Sequence, residues 1–321
     1  MILCERSAPL LLISRSAPGA YCHSRFWDGN VFNMASGHNR LYRAFRRLTN
    51  INSLSEILKF DNRWQLLIDE LIAGRTLRIY RMKGVDAIAD HRTGDHLGGL
   101  RGVLASSEYR ALLAEIPLDT VKNVVDLGAH IGSFTLLLKV LGAPLERVVC
   151  VEPSPRSRVK LQFNLQHNQV PADIFAGAMS NNPGVAKLYV GKLSTGNSLL
   201  PGTENLDDGS IEVETITLDL LVDRYFPRTN IDICKMDIEG VEFEILLGEH
   251  AKSLSGCRYL ICEIHPDSQH TQSDLVEALR KKGFVLIPDR RNAHSETVLF
   301  RNENSPSAAS SMSTVQQAVR I

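Results

Sequence analysis

The sequence predicts an α/β protein built on a mostly parallel sheet with helices on both faces. Three observations carry this. Apolar strand-like runs alternate with helical stretches from residue 121 to residue 282, a rhythm that needs crossover helices and hence parallel strands. The run Val121-Lys122-Asn123-Val124-Val125 leads directly into a glycine turn, Asp126-Leu127-Gly128-Ala129-His130-Ile131-Gly132, and then into a helix from Ser133. Finally, the runs Phe284 to Ile287 and Thr297 to Phe300 have no helix between them, which suggests a closing hairpin on the sheet.

Taken in order, residues 1 to 33 show no periodicity and read as disordered or as a mis-annotated start, with Met34 as the natural first residue. Leu41, Phe45 and Leu48 recur at helical spacing among Arg40, Arg43, Arg46 and Arg47, a packed helix with a solvated basic face. Trp64 to Ala73 reads as a helix ended by Gly74, Thr76 to Tyr80 as an alternating strand, and Gly102 to Leu113 as a helix. Residues 34 to 120 therefore form an accessory region ahead of a main domain over 121 to 302, with a polar tail over 303 to 321.

Within the main domain, Arg147 to Val151 is the second strand and Ser157 to Gln166 a helix. Ala172 to Ala178 is the third strand, and Val185 to Val190 is placed to return on it as a hairpin after the turn Asn181-Asn182-Pro183-Gly184. Residues 192 to 210 form a loop long enough to be functional. Glu212 to Thr217 is a short strand, Leu218 to Tyr225 a helix, Ile231 to Asp237 a fourth core strand and Val241 to His250 a helix. Arg258 to His265 is the fifth, followed by a helix over Thr271 to Lys282.

Composition narrows the function. Lys+Arg and Asp+Glu both number 36 in 321 residues, so no net field favours nucleic acid or an anionic membrane. No apolar run approaches the ~20 residues of a membrane helix. The six cysteines, at 4, 22, 150, 234, 257 and 262, include no Cys-x-x-Cys pair, and three sit in strand-like runs. This is the usage of a reducing, cytoplasmic setting. The stretch Ala8 to Ile13 is too short for a secretion signal and follows Glu5 and Arg6.

The glycine turn is the first chemical feature. Glycines permit positive φ and close backbone approach, and the free N–H groups of the following helix start can meet polar or anionic ligand atoms. The spacing is D-x-G-x-x-x-G rather than the G-x-G-x-x-G on which a pyrophosphate packs. It suits a ligand with one nucleoside and a charged amino-acid tail, such as S-adenosylmethionine, and disfavours an NAD-dependent oxidoreductase. Glu152, at the tip of the second strand and 24 positions after Gly128 (152 − 128), is placed to accept from ribose hydroxyls. With Met179 at the end of the third strand, the expected cofactor contacts are Asp126, Gly128, Ala129, Gly132, Glu152 and Met179.

The second feature lies at the far strand ends. Asp237 ends the fourth strand, and Glu263 and His265 lie two apart, on one face at the end of the fifth. Neighbouring strands would bring Asp237, Glu239, Glu263 and His265 to one rim, with Asp237, His265 and Glu263 as the catalytic set. His265 could take a proton from an acceptor, since imidazole titrates near neutrality. Alternatively Asp237, Glu263 and His265 could hold a divalent metal. Lys235 reads as an ion-pair partner, and Glu239, before Gly240 and a helix start, serves a cap as readily as chemistry.

These motifs together resemble the FkbM family of S-adenosylmethionine-dependent methyltransferases. The matching pieces are Val125 to Gly132, Glu152-Pro153 with Asn164 in the next helix, Thr217-Leu218-Asp219, the block Lys235-Met236-Asp237-Ile238-Glu239-Gly240-Val241-Glu242, and Glu263-Ile264-His265. His130 stands where the family usually has Asn. The resemblance spans roughly residues 76 to 300 and implies a Rossmann-like class I methyltransferase fold: a mostly parallel seven-stranded sheet, helices on both faces, the last strand antiparallel. It also implies methyl transfer to a hydroxyl of a sugar, polyketide or other small metabolite. The rival reading is a Rossmann-like binding or regulatory protein that keeps the cofactor cradle without turnover.

Overall fold

The computed structural model describes residues 51–71, 76–191, 197–199, 206–265, 269–288 and 296–305. The start at Met34, the basic helix around Leu41 to Leu48, most of the 192–210 loop and the tail beyond residue 305 lie outside them.

A seven-stranded sheet forms the centre. Its strands are β3 (Asn123–Leu127), β4 (Arg147–Val151), β5 (Ala172–Phe175), β9 (Ile231–Met236), β10 (Cys257–Glu263), β11 (Phe284–Ile287) and β12 (Thr297–Asn302). Their order is β11-β12-β10-β9-β3-β4-β5. The pairs among β5, β4, β3, β9 and β10 are parallel, and β12 runs antiparallel to both β10 and β11. The expected sheet and its terminal hairpin are therefore present. Central parallel strands are buried on both faces, which is why their sequences read as continuous apolar runs. Val124 packs into one core layer, Val125 into the other.

The first layer holds α4 (Ser133–Val140) and α5 (Pro155–His167), the second α6 (Leu218–Tyr225), α7 (Glu242–Leu247) and α8 (Gln272–Lys281). Local signals set their starts. Ser154 caps α5 with Pro155 in its first turn, Thr217 caps α6, and Thr271 with Asp274 forms a capping box on α8. The described cysteines, 150, 234, 257 and 262, are free thiols buried in these layers. Among the described residues no helix is long and apolar enough to cross a membrane.

The accessory region comprises α1 (Ile51–Ile57), α2 (Arg63–Leu71), a hairpin of β1 (Leu77–Met82) and β2 (Val85–Asp90), and α3 (Glu108–Leu113). Its Phe60, Leu66, Tyr80 and Leu113 belong to the same core cluster as Val124 and Leu136, so one core runs across residue 120. The sequence reading missed β2, whose buried positions are filled by the small or β-branched Val85, Ala87 and Ala89. The single helix expected over 102–113 is broken: a wide turn at His96–Arg101 and a short one at Gly102–Leu104 precede α3.

The third strand also differs. The chain leaves the main sheet after Phe175 and re-forms as β6 (Gly177–Met179) in a small sheet ordered β6-β8-β7, with β7 (Gly184–Gly191) and β8 (Leu206–Ile216). At Gly177 a Cβ would collide with the Glu214 carbonyl, so only glycine allows this crossing. Accordingly β7 pairs antiparallel with β8, not with the third strand.

Candidate functional site

A cavity of about 530 Å3 opens at the carboxyl ends of β3, β4 and β9, where α/β sheets place ligands. Its walls are the glycine turn, Glu152, Met179, the Asp237 to Val241 loop, Glu263 and, from the accessory region, Gly98, Gly99, Gly102 and Tyr109.

Of the expected cofactor contacts, Gly128, Ala129, Glu152 and Met179 line this cavity. The backbone N–H groups of Gly128 and Ala129 each donate to the Val151 carbonyl at 3.0 Å, folding the turn over the β4 end. Glu152 is 5% exposed and receives the His130 N–H on one oxygen and the Ser154 N–H on the other, both at 2.8 Å. Burial pushes its carboxyl up from the ordinary value. Each oxygen keeps a lone pair for a further donor.

Two expected contacts are corrected. Asp126 is fully buried behind the turn, 2.8 Å from the Thr135 hydroxyl and 3.8 Å from Lys235 Nζ, and does not line the cavity. Burial raises its carboxyl too. Gly132, at φ 87°, starts α4, and a Cβ there would meet Leu161 at 2.9 Å, so this glycine lets α4 pack on α5 rather than admitting a ligand. Gly128 has a double duty. At φ +74° it lines the cavity, but a Cβ would strike the Asp237 carbonyl. The glycine is thus demanded first by the contact between the β3 turn and the β9 end.

Ser133 escaped the sequence reading. It is the first residue of α4, lines the cavity and is 3% exposed, and its hydroxyl has no hydrogen-bond partner among the described residues. A buried hydroxyl without a partner is costly unless a ligand completes it. Beside it lie the free N–H groups of a helix start, so the donor end fits a ligand with a polar or anionic tail.

At the other end the acidic residues converge. Lys235 is 4% exposed; its Nζ donates to the Gly128 carbonyl at 2.9 Å and lies 3.1 Å from Asp237 Oδ2. Burial alone would depress this amine, but Asp237 and Asp126 outweigh it and hold the group protonated. Lys235 is therefore the ion-pair partner its spacing suggested. Glu242 is fully buried and organises the rim: Oε1 accepts the Ile238 N–H and Oε2 the Gly240 N–H, both at 3.0 Å, while His265 Nδ1 sits 3.0 Å from Oε1. The sequence reading placed Glu242 in its motif but gave it no role.

The Glu242 contact pushes His265 up to about 9, against the effect of burial. His265 is then an imidazolium at neutral pH, and it does not line the cavity. Its expected part as a base titrating near neutrality is corrected for that reason. Its Nε2 faces Glu239 at 3.8 Å and Glu263 at 3.9 Å. Both carboxyls line the cavity. Burial and the Asp237 charge push Glu239 and Glu263 each up to about 7. Tyr109 completes the wall; burial, with the charges of Asp237 and Glu263, raises its phenol well above its ordinary value.

A metal set was expected from Asp237, Glu263 and His265. The trio whose ligand atoms come within 4.8 Å of one another is Asp237, Glu239 and His265 instead. With Nδ1 held by Glu242, His265 presents Nε2 to Glu239 and Glu263, which pair with it as an imidazolium.

Residues 126–286 match the methyltransferase FkbM domain. Methyltransferase sdnD of Sordaria araneosa is 27% identical over 197 residues, 52% of this chain and 75% of that one. The AMB antimetabolite synthetase AmbE of Pseudomonas aeruginosa (strain PAO1) is 26% identical over 210 residues, 53% of this chain but only 10% of the synthetase. Among solved structures, a SAM-dependent methyltransferase from Agrobacterium tumefaciens aligns over 73% of this chain and 72% of its own, at 13% identity and a TM-score of 0.42. The family match begins at Asp126 and takes in the glycine turn, Glu152, the Lys235 to Glu242 block and Glu263 to His265 across half of the sequence: the chain belongs to the FkbM methyltransferase family.

Proposed function

We propose that the protein transfers the methyl group of S-adenosylmethionine to a hydroxyl oxygen of a small acceptor, such as a sugar or polyketide. The observation that carries this reading is one cavity with two unlike ends: a nucleoside and tail cradle at β3 and β4, and a carboxylate rim at β9 and β10. When bound, S-adenosylmethionine supplies an electrophilic methyl on a sulfonium that leaves as a thioether. Glu152 would hold the ribose, and Ser133 with the α4 N-terminus the amino-acid tail. The carboxylate rim faces the space left for the acceptor, and holding donor and acceptor in line there supplies the proximity term.

As the acceptor oxygen forms its bond to the methyl carbon, its proton must go to a base. Glu263 serves best, since its carboxyl lines the cavity and sits at about 7, where a base works efficiently at neutral pH. Asp237, fixed by Lys235, carries fixed negative charge at the reacting centre. His265 and Glu242 hold the rim in place from behind.

The test is incubation of the protein with methyl-labelled donor and a metabolite extract, followed by isolation of labelled product. A label in an O-methyl group, formed equally with and without EDTA, is the expected result. Label on nitrogen or carbon would overturn the hydroxyl assignment. Cofactor binding without any labelled product would favour a non-catalytic binder, and loss of turnover in EDTA restored by Mg2+ would replace the proton-transfer account with a metal one.

A further inference from the structure

The outer edge of β2 is completed by side chains instead of a strand. Its partner β1 occupies one edge only. On the other, Asp86, Ile88 and Asp90 turn their backbone groups toward Asn168, Asn164 and Asp95. Asn168 accepts the Asp86 N–H at 3.0 Å and donates to the Asp86 carbonyl at 2.6 Å. Asn164 accepts the Ile88 N–H at 2.7 Å and donates to the Ile88 carbonyl at 3.3 Å. Asp95 accepts the Asp90 N–H at 2.9 Å. The match is geometric: four residues of helix rise about 6 Å, close to the ~6.6 Å between alternate residues of a strand.

Two of these three side chains also grip the glycine turn. Asn164, fully buried, donates to the Ile131 carbonyl at 2.8 Å, so every polar group of its amide is engaged. Asp95, also fully buried, lies 3.4 Å from His130 Nε2 and 2.5 Å from Lys160 Nζ. Asn168 makes no such contact and instead donates to the Asn164 carbonyl at 2.6 Å. His130 holds φ at 51°, a conformation that L residues rarely adopt without support, and its N–H is the one that meets Glu152.

We propose that the β1–β2 hairpin is a working part of the donor site, with Asn164 and Asp95 as positioning residues that fix the His130-Ile131 backbone and, through it, Glu152. The inference rests on the S-adenosylmethionine reading above. Neither β2 nor Asn164 nor Asp95 lines the cavity, so their influence on the donor would be wholly indirect.

The test uses S-adenosylhomocysteine as probe on the full chain. Linkage is reciprocal: if β2 supports the turn, ligand in the cavity must stabilise β2. Hydrogen exchange of the wild type should slow at Ile88 and Asp90 on addition of ligand, and not at β11. By calorimetry, Asn164→Asp, which keeps the acceptor for Ile88 and loses both donors, should raise the Kd about tenfold or more. Asn168→Asp, which loses its donors to the Asp86 and Asn164 carbonyls but no bond to the glycine turn, should stay within about threefold while lowering Tm similarly. Ligand binding with unchanged exchange at β2 overturns the inference, as does an equal Kd in both variants; the wild-type exchange result decides should Asn164→Asp fail to fold. No binding to wild type at all would overturn the donor assignment and this inference with it.

Discussion

The two ends of the cavity are built in opposite ways. At the donor end, two backbone N–H groups converge on Glu152, one on each carboxyl oxygen. At the acceptor end, Asp237, Glu239, Glu242 and Glu263 share one rim with two cations, Lys235 and His265. Burial first, and the Asp237 charge second, push Glu239 and Glu263 up to about 7. The contrast fits the two proposed tasks: the acid proposed to grip a ligand has its backbone donors already in place, whereas the acids proposed to exchange protons are partly buried beside one another. Strain of this kind marks a reactive site more often than a structural one.

Breaking the acceptor end should leave the donor end intact. Asp237→Asn removes the charge that pairs with Lys235 and pushes up Glu263. Turnover is expected to drop roughly 10²–10⁴-fold, the usual scale for losing an acid–base or charge-stabilising group, with the affinity for S-adenosylhomocysteine within a few-fold of wild type. Steady-state kinetics beside calorimetry measures the split, and a parallel loss of both would merge the two ends into one unit.

Glu242→Ala attacks the rim from behind. It leaves the Ile238 and Gly240 N–H groups without their acceptor and removes the partner of His265. About 2–4 kcal/mol of stability should be lost in a denaturant titration. The His265 resonance should titrate well below its wild-type value of about 9, and an unmoved titration would show that Glu242 is not what holds the imidazolium.

A gentler probe is pH. Glu263 must be deprotonated to accept a proton, so activity should rise as pH passes about 7. Stability should run the other way. His265 has its folded value raised to about 9, so its contribution is complete below about 6.5 and is lost as pH rises through 9. Glu239 and Glu263, raised from 4.5 to about 7, cost stability as pH rises from about 4.5 to 7, where the unfolded chain has ionised and they have not, and add no further loss above 7. Between pH 6 and 9 the enzyme should therefore gain rate and lose Tm, and a flat or rising Tm across this range would contradict the charge assignment.

The same two ends differ in how far they could be read from the sequence. The sheet was legible because buried parallel strands leave continuous apolar runs, and the glycine turn because its spacing is local. Glu152 and Asp237 followed from strand ends. What escaped depends on three-dimensional convergence: Glu242 sits on α7 but acts on residues before its helix and on His265 after β10. Asp126 and Gly132 fit the motif, yet the chain uses them for packing behind the turn. Ser133 reads as an ordinary helix residue in the sequence, and only the fold places it, with a buried hydroxyl, in the cavity wall. The β2 strand was hidden because its alanines and aspartates are weak strand formers, and its edge is satisfied by asparagines 76 to 82 positions away.

Glu152 is the residue proposed to hold the nucleoside of S-adenosylmethionine at the β3–β4 end. Isothermal titration of S-adenosylhomocysteine into wild type and Glu152→Gln tests that assignment directly. Single-site binding to wild type is expected, with no comparable binding of NAD and an affinity weaker by roughly ten- to a hundredfold in the variant, the cost of a lost charged hydrogen bond. Equal affinity in a folded Glu152→Gln, or NAD binding as tightly as S-adenosylhomocysteine, would contradict it.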